Sequence, residues 1–260
     1  MLNLESVGHE VSIISNPKWD TPKKIYLASD TEKDKVKHGF VKLELEDDSK
    51  FEPCVDKKTE RQVLYVSGMS GSGKSVYVGN YLKKYRKAYP KRPIYVLSPV
   101  GDDKAFDILK PLRIKLNELL TEDIPMEDFK DSIVVIDDCD SISDKKIRNK
   151  VLSIQNQILE VGRHYNISLC VTSHITCAGN DTKKVLNEAH MIVVFVANMA
   201  NRNIKYLMDN YLGLDKNQIA YIKKQKTRAT TFYKTYPSLV ITDKLISFTK
   251  NLLDEDIAQY

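Results

Sequence analysis

The sequence predicts an α/β fold: a mostly parallel sheet flanked by helices, preceded by a small β-rich element. Three observations carry that prediction. Short apolar runs alternate with amphipathic helical stretches from residue 61 onward, the pattern of a sheet covered on both faces. One such run, Val63–Val66, leads through a glycine-rich stretch into a helix. Another, Ile133–Ile136, ends in two adjacent carboxylates, Asp137 and Asp138.

Residues 1–60 differ from the rest. They offer short candidate strands (Val11–Ile14, Lys24–Ala28, Gly39–Leu45) separated by charged, turn-forming stretches such as Ser29–Lys37 and Glu46–Lys50. We divide the chain into a β-rich element, 1–60, and an α/β body, 61–260, joined at about Cys54–Arg61.

The body opens with the strand at Val63–Val66. Gly68-Met69-Ser70-Gly71-Ser72-Gly73-Lys74-Ser75 then matches the phosphate-binding pattern G-x-x-x-x-G-K-[ST] (Walker A) without a mismatch, and Val76 follows inside the helix. Glycines permit positive φ, so successive N–H groups can converge on phosphate oxygens, and the helix opening at Lys74 presents its positive end to the same anion. In that reading Lys74 reaches the β and γ phosphates of ATP and Ser75 ligates Mg²⁺. Val76, Val78 and Leu82, with Tyr77 and Tyr81, recur at helical spacing.

Arg92–Pro99 reads as a second buried strand. Ile133–Ile136 then delivers Asp137 and Asp138 at a strand's C-terminal end, where α/β sheets place ligand chemistry. Asp137 is expected on Mg²⁺ and Asp138 on the water that attacks the γ phosphate. A strand followed by an acidic turn is the plainer alternative; the upstream loop favours the nucleotide reading. A second acid also favours hydrolysis over transfer to an acceptor that carries its own nucleophile.

Ser143–Val161 is an amphipathic helix with Ile147, Val151, Ile154, Ile158 and Leu159 on one face, and Gly162 is expected to stop it at the C′ position. Arg163 and His164 follow in a turn, then a strand over Ile167–Thr172 with Ser173 and His174 at its tip. His174 is placed to meet the γ phosphate or the attacking water, or else lies in a solvated loop. Met191–Val196 is a further strand.

Composition bounds the alternatives. The 260 residues, 42% hydrophobic, suffice for one large core. No stretch of 18 apolar residues suggests a membrane span, and the N-terminus does not read as a secretion signal. The four cysteines show neither C-x-x-C nor metal-ligand spacing and read as reduced thiols of an intracellular protein. A net charge of +5 is compatible with a polyanionic partner without indicating one.

The stretches "GMSGSGKS", "IVVIDDCD", "GRHYNISLCVTSH" and "EAHMIVVFVANMANRNIKYL", in this order, resemble the FtsK–HerA superfamily of ring-forming ATPases, and most of all the genome-packaging ATPases of large DNA viruses of the poxvirus-like type. The resemblance spans about Gln62 to Ile246 and leaves residues 1–60 untouched. It implies an additional-strand, RecA-like P-loop core, rings of five or six copies, ATP-driven movement of double-stranded DNA, contact with capsid proteins, and a location in the virion or the cytoplasmic assembly site. It also implies catalytic roles for Arg163, as an arginine finger acting on a neighbouring subunit, and for His174, which stands where the family usually carries Gln. Asp138 stands where many related ATPases have Glu.

Arg202 is the second candidate for the finger. Two dense basic runs, Lys83–Arg92 and Lys223–Arg228, read as solvated faces or DNA contacts. The loop Ile175–Lys184, with Lys183 and Lys184 at its end, has a better position for DNA because it leaves the sheet on the nucleotide side. A small-molecule phosphotransferase and a nucleotide-controlled assembly protein are the competing functions.

Overall fold

The computed structural model describes residues 1–260 except 47, 60, 178, 199, 256, 257 and 260, and gives the backbone alone at 181, 198, 201, 258 and 259. Asp47, in the predicted turn Glu46–Lys50, and Ala178, in the predicted loop Ile175–Lys184, therefore lie outside the described residues.

The small sheet is formed by β1 (Leu2–Asn3), β2 (His9–Ser15), β3 (Lys23–Leu27) and β5 (Lys50–Glu52) in the order β1-β3-β2-β5, every pair antiparallel. β1 and β5 are too short to show a period-2 pattern, so only β2 and β3 are legible in the sequence. The predicted strand Gly39–Leu45 is shorter than expected, β4 (Lys42–Glu44), and joins the large sheet beside β14 (Leu245–Phe248).

The large sheet is completed by β6 (Val63–Ser67), β7 (Ile94–Leu97), β8 (Leu112–Arg113), β9 (Ile133–Ile136), β10 (Ser168–Ser173), β11 (Met191–Val194), β12 (Thr230–Tyr233), β13 (Leu239–Ile241) and β15 (Ala258–Gln259). Its order is β15-β4-β14-β13-β12-β11-β6-β10-β9-β7-β8. From β11 to β8 every neighbour is parallel; β12, β13, β14 and β4 extend the sheet in antiparallel fashion. β10 lies between β6 and β9, so the glycine-rich loop and the paired carboxylates leave the sheet one strand apart, at the same end.

Side chains alternate across this sheet, as strand geometry requires. Val63 and Tyr65 of β6 point into a core built with α3 (Lys145–Val161), α4 (Asn180–Glu188), α5 (Asn201–Asn210) and α6 (Lys216–Lys224). Leu64 and Val66 point the other way, into a core shared by α1 (Lys74–Ala88), Phe106 of the short helix α2 (Lys104–Asp107), and Val11, Ile14 and Ile25 of the small sheet. The N-terminal element thus packs on the α1 face.

α3 starts at Lys145, where Asp144 caps the N–H groups of Lys146 and Ile147. The expectation for Gly162 needs correction. It keeps right-handed backbone (φ −59°, ψ −18°), and its reason is space: a Cβ there would sit 2.3 Å from the Ile158 carbonyl oxygen and 2.8 Å from the Arg61 guanidinium.

Candidate nucleotide site

The loop between β6 and α1 is built around glycine backbone that other residues resist. Gly73, the residue before α1, has φ +110°. A Cβ on Gly68 would lie 2.6 Å from Ser72 Oγ and 2.9 Å from the Phe195 ring, so only glycine fits where the loop leaves the strand. Met69 and Val76 are exposed, Ser70 and Gly71 form the open tip, and Ser75 is half-buried in the first turn of α1. Lys74 is buried, donates to the Gly68 carbonyl at 3.0 Å, and lies 3.5 Å from Asp138 Oδ1. Ser72 Oγ is buried and makes no hydrogen bond.

The two carboxylates at the end of β9 differ in setting. Asp137 is buried, accepting from Thr172 Oγ1 at 2.7 Å and Ser98 Oγ at 2.9 Å. Burial pushes its carboxyl above the ordinary range, the Thr172 bond opposes that, and the Asp138 charge adds to it. Asp138 is partly exposed and adopts left-handed backbone (φ 46°, ψ 43°), a conformation that costs a non-glycine residue about 1–2 kcal/mol. Its N–H donates to Thr172 Oγ1 at 2.9 Å, and its Oδ1 lies 3.0 Å from the same hydroxyl. One threonine of β10 therefore ties both acids to the strand between them and the loop.

β10 ends at His174. Its Nε2 is 3.4 Å from Asp138 Oδ2, and its Nδ1 is 3.8 Å from Asp140 Oδ1. Asp140 Oδ2 accepts from the N–H of His174 (2.9 Å), the N–H of Ile175 (3.3 Å) and Ser173 Oγ (3.1 Å). Asp140 thus clamps the tip of β10 to the turn after β9. Among the described residues, one atom each of Asp138, Asp140 and His174 lie within 4.8 Å of one another, a spacing that a cation could occupy.

Of the residues predicted for the site, Gly68–Val76, Asp137, Asp138 and His174 come together at this end of the sheet. Arg163 does not. It is exposed in the turn that enters β10, at the opposite end of a strand on the order of 17 Å long. Capping of the α3 carbonyls there is done by Arg61, which donates to Ile158 O (2.8 Å) and Leu159 O (3.3 Å). Arg202 is exposed on the first turn of α5, past the C-terminal end of β11 and so at the same end of the sheet as the loop. Lys183 is exposed on α4, whereas Lys184 is ion-paired with Glu160 of α3.

Sequence reasoning misses Thr172, Asp140 and Ser98 as site residues, and it places Arg228 in a basic surface run. The first three carry no signal beyond being polar at strand ends. Arg228 lies against the loop: its Nε and Cζ are 3.5 and 3.6 Å from where a Cβ on Gly73 would stand.

The chain matches no known protein-family model. It is 38% identical over 242 residues to the uncharacterized protein V3 of Sputnik virophage, a match that covers 92% of this chain and 95% of that protein. Solved structures that resemble it include B204, the DNA-packaging ATPase of Sulfolobus turreted icosahedral virus (TM-score 0.48, 13% identity, 71% of this chain and 99% of that one). The cytoplasmic domain of the type VII secretion ATPase EccC of Thermomonospora curvata is another (TM-score 0.49, 11% identity, 78% of this chain and 28% of that one). The chain belongs to one family with the virophage protein V3.

Proposed function

We propose that this protein is an ATP-hydrolysing motor that moves double-stranded DNA, loading a viral genome into its capsid. The observation that carries the hydrolytic part is the convergence at one sheet end of a buried lysine in a glycine loop and two carboxylates joined through Thr172. The DNA-moving part is supported by the motif resemblance, and the viral setting by the virophage relative.

In this reading the loop amides of residues 68–76 and the Lys74 ammonium hold the phosphates of ATP. The residues also suit a magnesium ion: Ser75 and Asp137 offer hard oxygen donors, and Asp137 is buried where a cation would offset its charge. Mg²⁺ supplies neutralisation of phosphate charge when bound. Asp138 accepts a proton from water as that oxygen attacks the γ phosphorus, and the bond to the β-phosphate oxygen breaks to leave ADP and phosphate. His174, facing Asp138 and clamped through its own N–H by Asp140, reports the γ phosphate to the loop after β10.

Arg163 acts on a neighbouring subunit in a ring of five or six, with Arg202 the alternative finger. Capsid proteins are the other expected partners, and the place of action is the virion or its assembly site. Residues 1–60 form an element joined to the ATPase body of 61–260 through β4 and through a core the two share.

Phosphate release from Mg-ATP, measured with and without double-stranded DNA, tests this reading. Wild type should hydrolyse ATP and accelerate with duplex, whereas Lys74→Ala should do neither. Turnover that ignores DNA would remove the motor reading; equal turnover in Lys74→Ala would remove the nucleotide site.

A further inference from the structure

Positive charge accumulates at the start of α1 beyond what the protein itself neutralises. The helix begins at Lys74 with no acidic residue in its first turn and no side-chain cap. Its dipole adds roughly half a positive charge there. Lys74 contributes an ammonium whose nearest carboxylate is Asp138 at 3.5 Å. Arg228, in the turn between α6 and β12, brings a guanidinium to the same glycine, and among the described residues it makes no ion pair. A cation set against a helix N-terminus is unfavourable unless an anion lies between them. Ser72, 1% exposed and with its Oγ unpartnered, points to a ligand in the same loop.

Arg228 also lines a cavity of about 270 Å³. Its walls include Tyr77 and Asn80 of α1, Thr231 of β12, Asp243 of the turn after β13, and Glu52 of β5. Tyr77 is one helical turn beyond Gly73, so the cavity begins about 6 Å from the loop. Its lining mixes apolar surface with a few polar groups, the character of a small-molecule site, and Asp243 Oδ1 there is buried without a hydrogen bond.

We propose that Arg228 holds the phosphates of the nucleotide bound by its own chain, and that the adjoining cavity takes the nucleoside. The proposal rests on the P-loop reading above. It also gives the N-terminal element a part in binding, because β5, outside the motif resemblance, closes one wall of the nucleoside seat. Arg228 differs in kind from the finger, because it needs no second subunit.

Calorimetric titration of the full chain with ATP and with tripolyphosphate tests this. Arg228→Ala should weaken both ligands about tenfold, with part of the loss recovered in Arg228→Lys. Asn80→Trp, an exposed position that narrows the cavity, should weaken ATP about tenfold and leave tripolyphosphate unchanged. Lys74→Ala separates the two readings. If it loses ATP while Arg228→Ala binds both ligands as wild type does, the role of Arg228 is overturned and the P-loop stands. If Asn80→Trp binds ATP normally, the nucleoside seat is overturned. If wild type binds neither ligand, the P-loop reading and this one fall together.

Discussion

The two ends of the parallel strands make opposite use of polar groups. At the N-terminal end several of them satisfy one another. Gln62 donates to Tyr233 Oη at 2.8 Å and accepts from Tyr81 Oη at 2.6 Å, His190 Nδ1 accepts from the Val63 N–H at 2.9 Å, and Arg61 caps α3. At the C-terminal end the Ser72 hydroxyl lacks a partner and two cations meet one helix N-terminus. A closed network adds stability; an open one leaves groups that a ligand can complete. Arg163 belongs to the closed end, so the catalysis proposed for it can only be directed at another copy.

Breaking the open end should have the largest effect. Asp138→Asn keeps a residue that tolerates left-handed backbone and removes the proposed base, so hydrolysis should fall by about 10²–10⁴ while ATP still binds. Arg163→Ala should fall comparably if it serves a neighbour, roughly 10³–10⁵. Mixing the two inactive variants should then restore part of the phosphate release, because some interfaces pair an intact Asp138 with an intact Arg163. Absence of recovery, with subunit exchange demonstrated, would place Arg163 outside catalysis.

Asp137 offers the next contrast. Its folded pKa is raised above the ordinary 3.8, chiefly by burial. The folded chain therefore binds the proton more tightly than the unfolded one, and stability falls as pH rises from 3.8 through the raised value, remaining lower above it. Asp137→Asn should accordingly raise the melting temperature of the nucleotide-free protein at pH 7. The same variant should lose the stabilisation conferred by Mg-ATP, about 2.7 kcal/mol at a hundredfold excess over Kd. Thermal melts with and without ligand read both signs.

The closed end responds to acid. Burial, then the nearby Arg61 charge, lowers the pKa of His190 below the ordinary 6.5. The unfolded chain takes up the proton first, so stability should be lost as pH falls from 6.5 through that lowered value. His190→Asn keeps an acceptor for the Val63 N–H, so its urea midpoint should change less between pH 7.5 and pH 5.5. ATP affinity at pH 7.5 should be unaffected, since His190 is a strand's length from the loop.

The smallest effect concerns DNA. Lys184 is already paired with Glu160, so of the two lysines after β10 Lys183 is the better candidate for a phosphate contact. Lys183→Ala should flatten the log–log salt dependence of duplex binding by about one unit. An unchanged slope would direct attention to the basic residues of α6.

Much of this is legible in the sequence because it is local. Strand, glycine loop and helix are consecutive, the two aspartates are adjacent, and the apolar runs declare which strands are buried on both faces. Asp140 follows those aspartates closely, but its clamp on His174 depends on which strand lies beside β9, and no pattern within one strand records its neighbour. The commonest reason for a glycine after a helix is left-handed backbone, whereas at Gly162 the Ile158 carbonyl and the Arg61 guanidinium, the latter far away in sequence, leave no room for a Cβ.

The sequence by itself determined the glycine loop between strand and helix, the acids at the end of β9, and the α/β class, since each follows from residue types within one turn or one strand of each other. Only the tertiary structure decided that Thr172 joins both acids, that β4 leaves the N-terminal element for the large sheet, and that Arg228 meets Gly73. Those contacts span 34 to more than 150 residues of chain, and they are set by sheet order and register, which side-chain periodicity does not specify.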